Sequence, residues 1–355
     1  MGIERFFYNL ATDKKKGLAL APLKFILTLL SFLYGGLVRF LIWFYALRPL
    51  CFSCKVISIG NITWGGTGKT TLAEFIASYL QRQGHRVAIL SRGYCRRSNQ
   101  SLGQGEKFLP DEPLMLKKRL PGVEVLIDPD RIRSGRRAIK EFGVDTLLLD
   151  DGFQQWRIKK DLEIVTIDCR YPLGNGYLIP RGILRQPIST LSRAHIFAIT
   201  KTNLYPVALD LIQTLRKINP SALIINTAHE PLGFYQIGQG DSPLLTPDSL
   251  KGERVGLFSG IGDPDSFERL VAKLGLEIGF YFSFPDHHNF SPRDIEDIVA
   301  LARDKKITTL LTTQKDAMRL RGITLPLRTL VLCIRLKITK NEEEFYQRLH
   351  SLYRI

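Results

Sequence analysis

Acidic residues are under-represented in this chain: 34 Asp and Glu stand against 50 Lys and Arg, giving a formal charge of +16. A surplus of that size points to an anionic partner, whether nucleic acid, acidic lipid or a phosphorylated substrate. Cysteine is sparse as well. The five cysteines are odd in number and widely scattered, which argues against a secreted disulfide scaffold and for a reducing compartment. Only Cys51 and Cys54 stand close together, and no second pair or nearby histidine completes a tetrahedral zinc site. Internal repeats and low-complexity tracts are missing. With 45% hydrophobic and 24% charged residues, the chain is neither disordered nor collagen-like. Its 355 residues make two domains the starting expectation.

One long apolar run is present. From Phe25 to Leu47 the chain carries 23 residues whose only charge is Arg39. A helix of that length reaches about 35 Å, enough for a hydrocarbon core of roughly 30 Å. Tyr34, Trp43 and Tyr45 are aromatics of the kind found near lipid headgroups. The run is too long for a cleavable signal peptide, and no small-residue cleavage site follows it. Basic residues flank both ends, so charge gives no orientation. A single span, a helix lying in the interface and a buried core helix all fit.

Immediately afterwards, Lys55 to Ile59 reads as a buried strand, followed by Gly60-Asn61-Ile62-Thr63-Trp64-Gly65-Gly66-Thr67-Gly68-Lys69-Thr70-Thr71 and a helical pattern over Leu72 to Leu80. Strand, glycine-rich turn, Lys-Thr and helix together form a P-loop in its required context. The glycines let successive N–H groups converge on phosphate oxygens, and the helix N-terminus adds its positive end. Lys69 is placed to neutralise the terminal phosphates and Thr70 to bind Mg²⁺. Thr63 to Thr71 is therefore the expected ATP-binding stretch. Thr63 replaces the usual first glycine. Gly65-Gly66 is similar to the deviant loops of cytoskeletal-type ATPases, but Trp64 stands where their signature lysine belongs.

Further segments bear on the chemistry. His85 to Leu90 reads as a second strand. Pro110-Asp111-Glu112-Pro113 is expected to set two carboxylates in a proline-fixed loop. Val144 to Leu149 reads as a buried strand running into Asp150-Asp151-Gly152, a Walker B arrangement that delivers carboxylate to a metal beside the P-loop. The irregular stretch Pro172 to Pro187 offers Arg181 and Arg185 to an anionic group. In Ser283 to Pro292, the adjacent His287 and His288 point in different directions, so one of them as an acid/base or orienting group is the better reading than a shared metal. Ser291-Pro292 is expected to cap a helix over Arg293 to Arg303.

Strands at Leu162 to Asp168, Ile196 to Thr200 and Ala222 to Asn226, with a helix over Ala208 to Ile218, extend an α/β pattern with a mostly parallel sheet. After a Gly-, Pro- and Ser-rich break from Pro231 to Gly252, a second α/β run follows. Its strands are Arg254 to Ser259, Glu277 to Phe282, Thr308 to Thr313 and Thr329 to Ile334; its helices are Pro264 to Leu274, the one from Arg293, and Asn341 to Leu352. The expected fold is a P-loop NTPase-like α/β/α domain with a second, smaller α/β domain and an N-terminal membrane-associated helix. The boundaries are 1–50, 51–228 and 229–355, with the P-loop and the histidine loop on opposite walls of a cleft.

Taken in order, Leu33-Tyr34-Gly35, GNITWGGTGKT (60–70), SRGY (91–94), DEP (111–113), DDGFQ (150–154), NGYLIPRGILRQP (175–187), FSGIGDP (258–264), DHHNFS (286–291) and TTQKDAMRL (312–320) resemble the tetraacyldisaccharide 4′-kinase, or lipid A 4′-kinase, family over nearly the whole chain. The resemblance implies two α/β/α domains joined by a short two-stranded linker. It implies transfer of the γ-phosphate of ATP to the 4′-hydroxyl of tetraacyldisaccharide 1-phosphate, with Mg²⁺, at the cytoplasmic face of a Gram-negative inner membrane. By position Asp111 matches the general base, and His287 the histidine paired with it. Glu112, Asp150 and Asp151 match acidic residues near Mg²⁺, while Arg131 and Arg185 match basic positions near phosphates. Departures are Pro110 for a usual Gly, Gln155 for a usual His, and Arg181-Gly182-Ile183-Leu184-Arg185-Gln186 for Ala-Gly-Pro-Leu-Arg-Glu.

The implied mechanism has Asp111 accept the hydroxyl proton while His287 orients it, with the cleft closing to bring the two together and exclude water. The rivals are a membrane-associated switch ATPase, against which Trp64 speaks, a nucleic-acid-binding NTPase resting on charge alone, and a P-loop kinase with another acceptor. The reading expects no nucleic-acid partner and no obligate protein partner. Thr200-Lys201-Thr202-Asn203 sits where some P-loop proteins read guanine, and Asn203 lacks the carboxylate for it.

Overall fold

The computed structural model describes residues 10–13, 17, 20–92, 111–238, 244–320 and 322–353. The regular elements are α1 (Ala21–Ala46), β1 (Lys55–Gly60), α2 (Lys69–Arg82), β2 (Val87–Ser91), α3 (Asp111–Arg119), β3 (Glu124–Ile127), α4 (Arg131–Phe142), β4 (Thr146–Asp150), β5 (Leu162–Asp168) and β6 (Ile196–Thr200). They continue with α5 (Leu209–Ile218), β7 (Leu223–Gln236), β8 (Arg254–Ser259), α6 (Pro264–Lys273), β9 (Glu277–Ser283), α7 (Pro292–Asp304), β10 (Thr309–Thr313), α8 (Gln314–Arg319), β11 (Arg328–Lys340) and α9 (Glu342–His350).

The chain divides into two compact units. Met1–Gly93, Leu120–Thr227 and Ile338–Ile355 form the first; Tyr94–Arg119 and Ala228–Lys337 form the second. Strands β7 and β11 carry the chain out of the first unit and back. The first unit leaves off at Thr227 and the second resumes at Ala228, and two segments cross that division. Helix α3 joins the second unit because Arg119 Nη1 donates to Gln314 Oε1 (3.1 Å) and its Nη2 to the Ile334 carbonyl (3.2 Å). Helix α9 joins the first, where Phe345 and Tyr346 pack on Phe75 of α2 and Tyr346 stacks on Tyr79. Asp111 and His287, assigned by the sequence to different domains, therefore belong to the same unit.

In the first unit the strands run in the order β3-β2-β4-β1-β5-β6-β7, with parallel pairing throughout. Strands β2, β4, β5 and β6 are buried at every residue, the pattern of a sheet covered on both faces. Helix α2 presents Leu72, Ala73, Ile76, Ala77 and Leu80 to it. In the second unit the order is β11-β10-β8-β9, again parallel. There the expected cap of α7 is a full capping box between Ser291 and Asp294.

Helix α1 buries a stripe of Leu27, Ser31, Gly35 and Val38. Ser31 Oγ donates to the Leu178 carbonyl (2.7 Å) and accepts from Arg181 N (3.0 Å), while Tyr34 Oη donates to the Arg185 carbonyl (2.8 Å). Its other face leaves Phe25, Phe32, Leu33, Phe40, Trp43 and Phe44 more than half exposed. Arg181, a candidate anion holder in the sequence, is instead buried and paired with Asp13 (3.0 Å).

Candidate active site

Parallel α/β sheets bind ligands beyond the carboxyl ends of their strands, and β1 delivers the P-loop there. The turn can begin tightly because residue 60 is glycine: a Cβ on Gly60 would stand 2.5 Å from the Phe153 backbone nitrogen. Thr63, where the usual first glycine is replaced, is buried and bridges to Leu184, and Trp64 N donates to the Ile183 carbonyl (2.7 Å). The Trp64 side chain points into solvent at 66% exposure, so it gives the loop no packing. Gly65 and Gly66 are exposed. Gly68 takes the left-handed conformation (φ 82°) as the N-cap of α2. Lys69, Thr70 and Thr71 form the first turn of that helix, half-buried. Thr67 does not reach outward: its hydroxyl shares a buried hydrogen bond with Thr166 of β5 (2.7 Å), whose Oγ1 also donates to the Gly60 carbonyl (3.1 Å).

At the end of β4, Asp150 is buried and Asp151 turns into the left-handed region (φ 54°). Asp151 receives both arms of Arg185, at 2.9 and 2.8 Å, and lies 3.6 Å from Lys69 Nζ. Burial alone would raise its carboxyl. The Arg185 hydrogen bonds and the Lys69 and Arg185 charges outweigh that and hold it at about 2. Arg131 is buried at the start of α4, donating to the Asp128 carbonyl and, at 3.4 Å, to the Asp150 carbonyl. Burial pulls its guanidinium below the usual value, while Asp150 and Asp151 pull it back. Lys69, Asp151 and Arg185 thus meet, with Asp150 and Arg131 beneath them. Gln155, in the position of the usual histidine, is half-buried.

The remaining expected residues lie in the second unit. Asp111 and Glu112 open α3 rather than sitting in a loop; the Asp111 side chain is outside the described residues, as are Gly93, Tyr94 and Pro110. Glu112 pairs with Lys315 (2.9 Å), which also reaches Asp286 (3.3 Å). His287 adopts a left-handed backbone (φ 60°), and its Nδ1 accepts from Arg319 Nη2 (3.2 Å). That bond leaves the ring hydrogen on Nε2. Arg319 is itself buried against Asp316 and donates to the Gly260 carbonyl (2.8 Å). His288 faces away, bonded to Asp294 (3.1 Å) and stacked on Phe284. Lys315 and Arg319 went unremarked in the sequence as functional residues. The only signal for them was their place in the TTQKDAMRL segment.

A parallel sheet, a Lys-Thr helix start beneath a glycine turn and a strand-end Asp pair define a P-loop nucleotide-dependent enzyme. A family model described as tetraacyldisaccharide-1-P 4′-kinase (LpxK) matches residues 23–354, and the chain belongs to that family. The tetraacyldisaccharide 4′-kinase of Halothermothrix orenii is 33% identical over 341 residues, covering 89% of this chain and 88% of the relative. That of Anaeromyxobacter dehalogenans is 37% identical over 274 residues, covering 75% and 72%. Among solved structures, LpxK from Aquifex aeolicus in complex with ATP matches with a TM-score of 0.70 at 26% identity, covering 95% of this chain and 99% of that one.

Proposed function

We propose that this chain transfers the γ-phosphate of ATP to the 4′-hydroxyl of tetraacyldisaccharide 1-phosphate, the lipid A 4′-kinase step. The family match over residues 23–354 carries the choice of acceptor. The P-loop accounts for the donor, and the solved LpxK relative is in complex with ATP.

Mg²⁺ fits the site by donor chemistry. Thr70, Asp150 and Asp151 offer only oxygen, which suits a hard cation. Among the described residues no cluster of three His, Cys, Asp or Glu side chains is present. A cation held by one or two carboxylates, a hydroxyl and substrate phosphates is the usual Mg²⁺ solution. Bound there, it would neutralise charge on the phosphates; Glu112, the other acidic residue expected near Mg²⁺, pairs with Lys315 in the second unit.

Transfer needs alignment, charge neutralisation and a base for the hydroxyl proton. Lys69 supplies positive charge to the phosphates, and Arg185 is close enough to share that task. Asp111 takes the proton. With hydrogen on Nε2, His287 is a donor, suited to orienting a carboxylate and unsuited to accepting the proton itself. Arg131 supports the strand end that carries Asp150.

Helix α1 is bonded at its middle to the 178–185 loop while its opposite face is apolar. That two-faced character favours a helix lying in the interface over a span. A lipid with four acyl chains leaves the bilayer only at about 0.8 kcal/mol per CH₂, so the enzyme works at the surface, on the cytoplasmic leaflet of the inner membrane. The net charge of +16 favours an anionic leaflet.

Incubation with labelled ATP and the disaccharide acceptor in mixed micelles tests the reading. Label is expected in the chloroform-soluble product, and hydrolysis without transfer would overturn it. Asp111→Asn is expected to lose roughly 10²–10⁴-fold in kcat with little change in KM for ATP. Near-normal turnover removes Asp111 from the base role.

A further inference from the structure

Beyond β6 the chain makes a tight turn in which Lys201 takes a left-handed backbone (φ 63°) and its side chain is 4% exposed. Buried lysines are uncommon and need compensation. Here Nζ lies 2.5 Å from Asp168 Oδ2, at the end of β5, and 3.2 Å from the carbonyl oxygen of Gly66 in the P-loop. All three groups belong to the first unit, and the strands involved are neighbours: β1 pairs with β5, and β5 with β6.

A buried ion pair contributes little net stability, because desolvation offsets the attraction. What this one does is geometric. In a trans peptide the C=O and the following N–H lie in one plane and point in opposite directions. The only cis bond among the described residues is Ile179–Pro180, so the Gly66–Thr67 peptide is trans. Holding the Gly66 carbonyl toward Lys201 turns the Thr67 N–H the other way, and the Thr67–Thr166 hydroxyl bond fixes the same residue from its side chain. Gly66 has no side chain of its own to hold that plane, and it is exposed. Left alone, the peptide would flip readily.

We propose that Lys201, fixed by Asp168, is a positioning residue for ATP: it locks the Gly66–Thr67 peptide so that the Thr67 N–H faces the phosphates before nucleotide arrives. The inference rests on the reading of this loop as the ATP site and adds the device that presets it. Lys201 sits in the Thr200–Asn203 stretch that other P-loop proteins use for the base, and here it serves the phosphate end.

The test is the double variant Lys201→Met with Asp168→Asn, which removes both charges together and so leaves neither buried alone. The measurements are the thermal transition, the Kd for ATP and the steady-state constants in mixed micelles. The expected result is a near-normal transition, a Kd and KM for ATP raised roughly tenfold to a hundredfold, and an unchanged KM for the lipid acceptor. The single variant Lys201→Arg, which keeps a charged donor, is expected to recover part of the loss. A folded double variant that binds ATP as tightly as the wild type overturns the inference. If the double variant is poorly folded, Lys201→Arg is compared with the single variant Lys201→Met: equal ATP affinity at wild-type stability overturns the inference, and tighter binding by Lys201→Arg supports it. Failure of the wild type itself to bind ATP would instead sink the functional reading on which this rests.

Discussion

The two units hold their candidate chemistry in different ways. In the first, the groups facing a nucleotide are mostly main chain or are clamped by it. Arg185 N donates to the Ile62 carbonyl, Trp64 N to Ile183, and the Gly66 carbonyl accepts from a buried lysine. In the second, the groups are side chains linked to one another: Glu112 to Lys315, Lys315 to Asp286, Arg319 to His287. His287 and Asp286 are each about 40% exposed at the side chain. A site made of backbone tolerates side-chain change but fails when its few charged members go. A chain of side chains should lose function in graded steps.

Replacing Lys69 and Thr70 together by alanine attacks the first kind of site where it depends on side chains. Turnover is expected to fall about 10⁴-fold, since each removes a charge-stabilising group of the sort worth roughly 10²–10³. Transfer to the lipid acceptor, followed with labelled ATP, measures it; activity within tenfold of wild type would mean the loop is not the ATP site. His287→Ala probes the second kind. About a 10²-fold loss in kcat is expected, with KM for ATP unmoved and the pH profile displaced, because the residue acts through its neighbour. Arg319→Lys should give a smaller loss in the same direction, since a lysine replaces the planar guanidinium that fixes the ring.

The smallest effect concerns Asp151. Its carboxyl lies at about 2 in the folded protein against an ordinary 3.8, so the folded state favours the ionised form. The resulting stabilisation is complete above about pH 5 and is lost as pH falls from about 4 through 2. Its size is on the order of 2 kcal/mol. Asp151→Asn should therefore be less stable than wild type in denaturant titrations at pH 6 without nucleotide, and the gap should close near pH 2. A gap independent of pH would show that the Arg185 and Lys69 pairing does not set the carboxyl.

The parallel core was legible because its strands are short apolar runs. Leu162–Asp168 and Arg254–Ser259 stand where their patterns place them, and Lys55–Gly60 runs one residue past its expected end. Helix α4 was not assigned, although Asp130 caps its start and Gly143 its end. Its sequence RIRSGRRAIKEF has few apolar residues, and its buried positions are Arg131, Ser134, Gly135 and Ala138. Gly135 is required there by the Phe52 ring, which a Cβ would meet at 2.6 Å. Strand β7 runs ten residues beyond its expected end, through Pro231 and Gly233, which read locally as loop. Pairing between Phe234 and Leu245 keeps that stretch extended, and pairing partners are not visible in a local pattern. The P-loop and the Asp150–Asp151 pair could be read from residue types in order. The role expected of Asp111 and the choice of His287 over His288 came from resemblance, and the common membership of Asp111 and His287 in one unit came from α3 packing on α8.

Residues 338–353 complete the first unit although they are made after everything in the second. Asn341 bonds the Ile224 carbonyl, Phe345 packs on Phe75, and Tyr353 stacks on His85 while its hydroxyl bonds Thr146 of the sheet. During synthesis, the nucleotide-binding half must therefore wait on the ribosome with its sheet exposed until the inserted module has been translated and the last helix has emerged. Fusions or deletions at the carboxyl terminus will be felt in the first unit, at the amino ends of its strands, and that is where a folding helper would first be needed.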